Sequence, residues 1–186
     1  MGVIFVNPIE VGDPYMRGHS RRVALIAALV GEALQVPLES LLTLNQSALL
    51  HDIGKIGLPE VILNKPGCLT DEEFGTVKQH PTRGEAIVGA FPDLQDTLPG
   101  IRSHHERWDG SGYPDGLAGE AIPLQGRIIA IADVYDAMTS DRAYRPAHQL
   151  ETALEELRSG AGVLYDPRAI DAFFASEVWL RVRKSA

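Results

Sequence analysis

Ser47-Ala48-Leu49-Leu50-His51-Asp52-Ile53-Gly54-Lys55 decides how the rest of the chain is read. The apolar run reads as the end of a buried helix. Behind it come an imidazole beside a carboxylate, a glycine and a lysine. An adjacent His and Asp at such a place can turn toward one cavity and offer nitrogen and oxygen ligands to one cation. The plain structural reading is a helix terminus, where His favours the C-terminal dipole and glycine caps. Taken alone, the stretch favours that plain reading; the other histidines reverse it.

Outward from this stretch the chain reads as helices. Apolar Val23, Ile26, Ala27 and Val30 recur at helical spacing and predict a helix over residues 14–34, with Asp13 as its cap and Pro14 in its first turn. A second helix is expected over 38–51, then an ordered Gly- and Pro-rich loop over 54–69. Thr70-Asp71-Glu72-Glu73 has capping-box spacing and starts a helix to about His80, where Pro81 either bends it or opens the next. Further helices are expected over 82–90, 94–106, 126–140, 149–159 and 167–174, the last capped by Asp166 with Pro167 following. Residues 107–123 hold four glycines and two prolines and read as irregular. With no β alternation and no internal repeat, the fold class is all-α, a helical bundle. The 186 residues suggest one domain over 14–176, an irregular segment over 1–13 and a tail over 177–186.

The formal net charge of −8 argues against general nucleic-acid binding. A small anionic substrate stays open, because metal ions and local arginines such as Arg142 and Arg145 can reverse the sign inside a pocket. No apolar run is long enough for a membrane span, and the N-terminus is a poor signal peptide. The lone Cys68 excludes an internal disulfide framework and fits a reducing, cytoplasmic compartment.

Six histidines, His19, His51, His80, His104, His105 and His148, are spaced too widely for a zinc finger or a zincin helix. His148 reads as a surface residue. Taken singly, His80 reads as structural, His19 as solvated, and the His104-His105 pair as one buried ring and one exposed. Asp133 is more telling. It lies in Arg127-Ile128-Ile129-Ala130-Ile131-Ala132-Asp133-Val134-Tyr135-Asp136-Ala137-Met138, where a carboxylate is costly unless a cation or several donors meet it. A salt bridge to a buried arginine is the plain alternative. Asp136, one turn on, shares much the same face and could orient a ligand or touch substrate.

Four motifs occur in one order: HDIGKIGLPEVILNKPGCLT; His80-Pro81 with Gly84; HHERWDGSGYPDGL; and IADVYDAMTSDRAYR. Together they resemble the HD-GYP branch of the HD phosphohydrolase superfamily, over most of the chain from Pro14 to Phe174. The resemblance implies a helical HD-domain bundle with a metal site between helices. It implies a phosphodiesterase that opens cyclic di-GMP to pGpG and, in some members, GMP, through a hydroxide bridging two metals. His19, His51, Asp52 and Asp133 would hold one ion and His80, His104 and His105 a second, with Asp52 shared. Nitrogen and oxygen ligands without thiolate suit two divalent ions, iron or manganese first, with zinc, nickel or magnesium also compatible.

By the same resemblance Lys55 would meet a scissile phosphate oxygen or the nucleophile, while Asp136, Arg142 and Arg145 would meet the ligand's guanine and phosphates. Gly112-Tyr113-Pro114 are the GYP residues, implicated in contacts with GGDEF-domain partners; Tyr113 could equally pack to hold His104 and His105. Where some members carry a glutamate for a third metal this chain has Tyr15, so two metals are expected. A homodimer stays open. The alternatives are a non-catalytic module that binds the dinucleotide or recruits a partner, and a related phosphohydrolase acting on another nucleotide or a mixed cyclic dinucleotide.

Overall fold

The computed structural model describes residues 18–63, 65–141 and 147–182. Ten α-helices occur among them: α1 (His19–Ala33), α2 (Leu38–Leu50), α3 (Glu60–Leu63), α4 (Asp71–Val77), α5 (His80–Val88), α6 (Leu98–Ser103), α7 (Leu124–Thr139), α8 (Leu150–Ser159), α9 (Pro167–Ala175) and α10 (Val178–Val182). Short 3₁₀ turns cover Ile53–Lys55, Pro92–Thr97 and Gly119–Ala121, and no strand is formed among the described residues. The all-α reading therefore holds. No helix here is long and apolar enough to cross a membrane.

Two apolar clusters organise the helices. The larger joins Val23, Ile26 and Val30 of α1, Leu44 and Ala48 of α2, Ile128, Ile131 and Tyr135 of α7, and Ile170 and Phe173 of α9. The smaller joins Leu50 at the end of α2, Val88 of α5 and Ile101 of α6. Because α2 contributes to both, the residues just after it sit where the clusters meet. That places His51 and Asp52 between two packed bodies.

Local chemistry explains most boundaries. The capping box at α4 is complete: Glu73 N–H donates to Thr70 Oγ1 at 3.2 Å and Thr70 N–H to Glu73 Oε2 at 2.7 Å. Asp166 caps α9 through Arg168 N–H at 2.9 Å and holds Arg127 of α7 with its other oxygen at 2.7 Å. Four expectations need correction. The helix that carries Val23, Ile26 and Val30 starts at His19, because Gly18 takes a left-handed conformation (φ 77°) that α-helix excludes; residues 14–17, with Asp13, lie outside the described residues. The single helix expected over 94–106 is a 3₁₀ turn followed by α6, since Pro99 lacks the N–H and its ring clashes with the carbonyl four residues back. The Gly- and Pro-rich loop contains the short α3. The expected tail contains α10, whose Val178 is fully buried and whose Trp179 ring packs 5.7 Å from Phe173.

Gly54 is required by close approach, not as a helix cap. A Cβ there would stand 1.9 Å from the His80 carbonyl oxygen and 2.5 Å from Gly84 N. The turn after α2 thus rests directly on the backbone of α5, which brings His80 beside Asp52.

Candidate metal centre

Three helix ends deliver three histidines in one way. His51 Nδ1 lies 2.7 Å from the Ala48 carbonyl at the end of α2, His80 Nδ1 2.8 Å from the Val77 carbonyl at the end of α4, and His104 Nδ1 2.7 Å from the Ile101 carbonyl in α6. Each carbonyl belongs to a last helical turn and lacks a regular intrahelical partner. At Val77 the cause is explicit: Pro81, four residues on, has no N–H, and the His80 ring supplies a donor in its place. A carbonyl only accepts, so each Nδ1 carries the proton and each Nε2 presents a lone pair.

Those Nε2 atoms converge on Asp52, which is only 2% exposed. Asp52 Oδ1 lies 3.3 Å from His80 Nε2 and 4.0 Å from His104 Nε2; Oδ2 lies 3.5 Å from His51 Nε2 and 4.0 Å from His19 Nε2. Lys55, one 3₁₀ turn along, places Nζ 2.5 Å from Oδ2. His19 Nε2 also lies 3.3 Å from Asp133 Oδ1. Two donor groups result, Asp52 with His80, His104 and His105, and Asp52 with His19 and His51, each with its ligand atoms within 4.8 Å of one another.

This arrangement fits metal ions. His80 Nε2 and His104 Nε2 face each other at 3.1 Å, lone pair to lone pair, beside a carboxylate. Among the described residues His51 Nε2 and Asp52 Oδ1 have no hydrogen-bond partner although both are buried. Buried acceptors pointing at acceptors are costly, and a cation among them removes the cost. For His80, His104, His105 and Asp52 the protonation states agree, whereas at His19 a cation would have to displace a proton. Burial holds His80 below its ordinary value, His104 well below it, and His105 down to about 3. Burial alone would raise the Asp52 carboxyl; Lys55 first and then the facing histidines hold it well below the usual carboxylate range. Burial opposes charge on His19 too, but hydrogen bonds to Asp133 and Asp136 prevail and lift it to about 9.

Several expectations change. Asp136, expected among substrate contacts, is buried and its oxygens are taken: Oδ2 by His19 Nδ1 at 2.7 Å and Arg22 Nη2 at 3.0 Å, Oδ1 by Arg22 Nε at 2.6 Å. It orients His19, because one turn of α7 separates it from Asp133 and turns it back onto α1. The His104-His105 pair does not split into one inner and one outer ring. Both lie just past the end of α6, where the turn aims both at the cluster, with centroids 4.2 Å apart. Arg142, Arg145 and Tyr15 lie outside the described residues.

The GYP loop packs against this pair. Tyr113 stacks on His105 with ring centroids 4.8 Å apart at 26°, and its N–H donates to the His105 carbonyl at 3.2 Å. Gly112 permits this, since a Cβ there would lie 2.3 Å from Arg107 N. Pro114 follows a cis peptide bond. Two residues the sequence reading missed hold the site from behind. Arg22 lies three residues after His19 on one helical face, and that spacing was the available signal. Glu106 is buried and accepts from Asp115 N–H at 2.7 Å and Leu117 N–H at 3.1 Å, fixing the loop; its position directly after the histidine pair was the only hint.

Known proteins resemble this chain in sequence and in fold. The HD domain family profile matches residues 5–169. The chain is 42% identical over 175 residues to the cyclic di-GMP phosphodiesterase response regulator RpfG of Xanthomonas campestris pv. campestris, covering 92% of this chain and 46% of that protein. It is 43% identical over 170 residues to a cyclic di-GMP phosphodiesterase of Thermotoga maritima, covering 90% and 46%. The chain thus spans about half the length of these relatives. A crystal structure titled as a cyclic GMP-AMP specific phosphodiesterase of V. cholerae superposes with a TM-score of 0.69 at 24% identity, covering 88% of this chain and 44% of that one, and shows the shared fold. On the strength of the family profile and these relatives, the chain belongs to the HD domain family, in its HD-GYP branch.

Proposed function

We propose that this chain is a metal-dependent phosphodiesterase that hydrolyses cyclic di-GMP to pGpG. The observation carrying this reading is Asp52 standing between two sets of inward-facing imidazole lone pairs. The printed activities of the relatives support the choice of substrate. His19, His51, Asp52 and Asp133 would hold one divalent ion, and His80, His104 and His105 a second, with Asp52 common to both. Iron or manganese suits this nitrogen and oxygen set. When bound, such a pair supplies an activated water at neutral pH and neutralises phosphodiester oxygens.

The chain's own residues do the rest. Lys55, anchored on Asp52, offers its remaining ammonium protons to a non-bridging phosphate oxygen, where charge grows as the phosphorus is attacked. Tyr113 keeps His105 facing the cluster. Arg142 and Arg145 take the ligand's phosphates, for which the guanidinium fork is suited. The catalytic unit runs from residue 14 through α10, the half-buried GYP loop is the face for a GGDEF-domain partner, and the exposed Cys68 thiol agrees with a cytoplasmic setting.

Anaerobically purified protein incubated with cyclic di-GMP, its products followed by chromatography, tests the reading. The expected product is pGpG, formed faster than any product from 3′3′-cGAMP, with two metal ions per chain. Faster cleavage of 3′3′-cGAMP would move the substrate to the mixed dinucleotide. Three tightly bound ions would overturn the two-metal site, and binding without cleavage would overturn the enzyme.

A further inference from the structure

Among the described residues the cluster is open on one edge. His51, His80 and His104 are sealed, whereas the side chains of Lys55 and Asp133 are 22% and 18% exposed and His105 and Tyr113 are partly so. A ligand therefore arrives over His105 and Tyr113. One ring further out stands Phe74 of α4, its centroid 6.3 Å from that of Tyr113 and its plane nearly perpendicular at 84°. Lys78 hangs its ammonium over both rings, 4.6 Å from the Phe74 centroid and 5.4 Å from that of Tyr113.

Phe74 does little for the fold. It is 43% exposed, α4 buries no residue, and Phe74 belongs to neither apolar cluster. A large aromatic ring kept in solvent beside a tyrosine and a lysine, on an open edge of a phosphodiester site, has the chemistry of a base-stacking surface. Nucleobases stack on aromatic side chains whatever their identity, and a flexible lysine beside them serves phosphate or a base carbonyl.

We propose that Phe74 and Tyr113, with Lys78, form the platform on which one nucleobase of the cyclic dinucleotide stacks while its phosphodiester lies at Asp52. The proposal rests on the phosphodiesterase reading and extends it to recognition. A cyclic dinucleotide carries two bases, and a site gripping only its phosphate would not separate it from other diesters. Phe74 supplies that grip at the rim. Lys78 gives up an exposed cation–ring contact, which costs little, for the second phosphate or a purine carbonyl.

Substitutions at Phe74 leave the core untouched, so the variants fold. In metal-loaded protein, F74A raises KM for cyclic di-GMP about tenfold and changes kcat little. F74W restores KM, whereas F74L, apolar but without a π face, does not. Hydrolysis of methyl 4-nitrophenyl phosphate, a diester with no nucleobase, is the same in all of them. K78M raises KM several-fold at low salt and less at high salt. Cyclic di-GMP quenches the indole emission of F74W protein beyond any change in the wild type. Unchanged KM in F74A, full rescue by F74L, or equal slowing of the simple diester each overturns the platform. Should the wild type cleave no cyclic dinucleotide, the function reading fails by itself, and the F74W emission still decides the platform: quenching upholds it, no quenching ends it.

Discussion

His51 is aimed by the Ala48 carbonyl, but the outer ligands of the two halves of the centre are held by different means. His19 and Asp133 stand on α1 and α7, which share the larger core, and His19 is aimed by side chains, Asp136 backed by Arg22. His80 and His104 stand at helix ends on the smaller cluster and are aimed by the backbone carbonyls of Val77 and Ile101. The first half can be loosened by changing a side chain. The second yields only when a helix end or the loop over it is disturbed. Asp52 belongs to both.

That contrast can be broken most severely at Asp52. Asp52→Ala removes the shared ligand and is expected to empty both halves and lower turnover by about a thousandfold or more. Elemental analysis with product chromatography checks it; metal retained at the wild-type level would mean the halves are independent. Next, Phe173→Ala in the larger core should cost about 3–5 kcal/mol of stability. Denaturant unfolding measures that loss, and the paired experiment, Gly54→Ala at the smaller contact, should cost about 1–3 kcal/mol by driving a methyl group into the His80 carbonyl.

Smaller and more selective is Asp136→Asn. It should weaken one of the two proposed metal sites about 10–100-fold and spare the other, because an orienting carboxylate is lost from His19 alone. Calorimetric titration resolves the two sites, and equal weakening of both would erase the distinction drawn here. Arg22→Lys should lie between this variant and the wild type.

The mildest test is pH. Burial holds His80 and His104 low and His105 at about 3, so in the metal-free protein the unfolded chain binds protons below pH 6.5 that the folded chain refuses. Their contribution is whole above pH 6.5 and declines as the pH falls toward 3, by about 1.4 kcal/mol per pH unit for each proton. His19, lifted to about 9, acts in the opposite sense: its contribution is whole below pH 6.5 and disappears as the pH rises through 9. Unfolding of chelator-treated protein between pH 5 and 9 should therefore show loss on both sides, with the acid side belonging to the second half. A flat profile would contradict the neutral, inward-facing imidazoles.

The sequence by itself determined most of the helices and the residue types at the centre. Thr70 with Glu73, and Asp166 with Pro167, specify helix starts through bonds made within four residues, so no distant contact is needed to read them. An aspartate in the apolar run of α7 announced a buried cation or donor, because burying it otherwise is too costly. Only the tertiary structure decided where the imidazoles point. His80 faces Asp52 because Pro81 leaves the Val77 carbonyl without a donor and because Gly54 lets two backbones touch, and no periodicity encodes that contact. Asp136 serves His19 because α7 crosses α1 at Arg22, a meeting of residues 114 positions apart. Local hydrogen bonds are written in neighbouring residues; the direction of a side chain is set by whatever packs across from it.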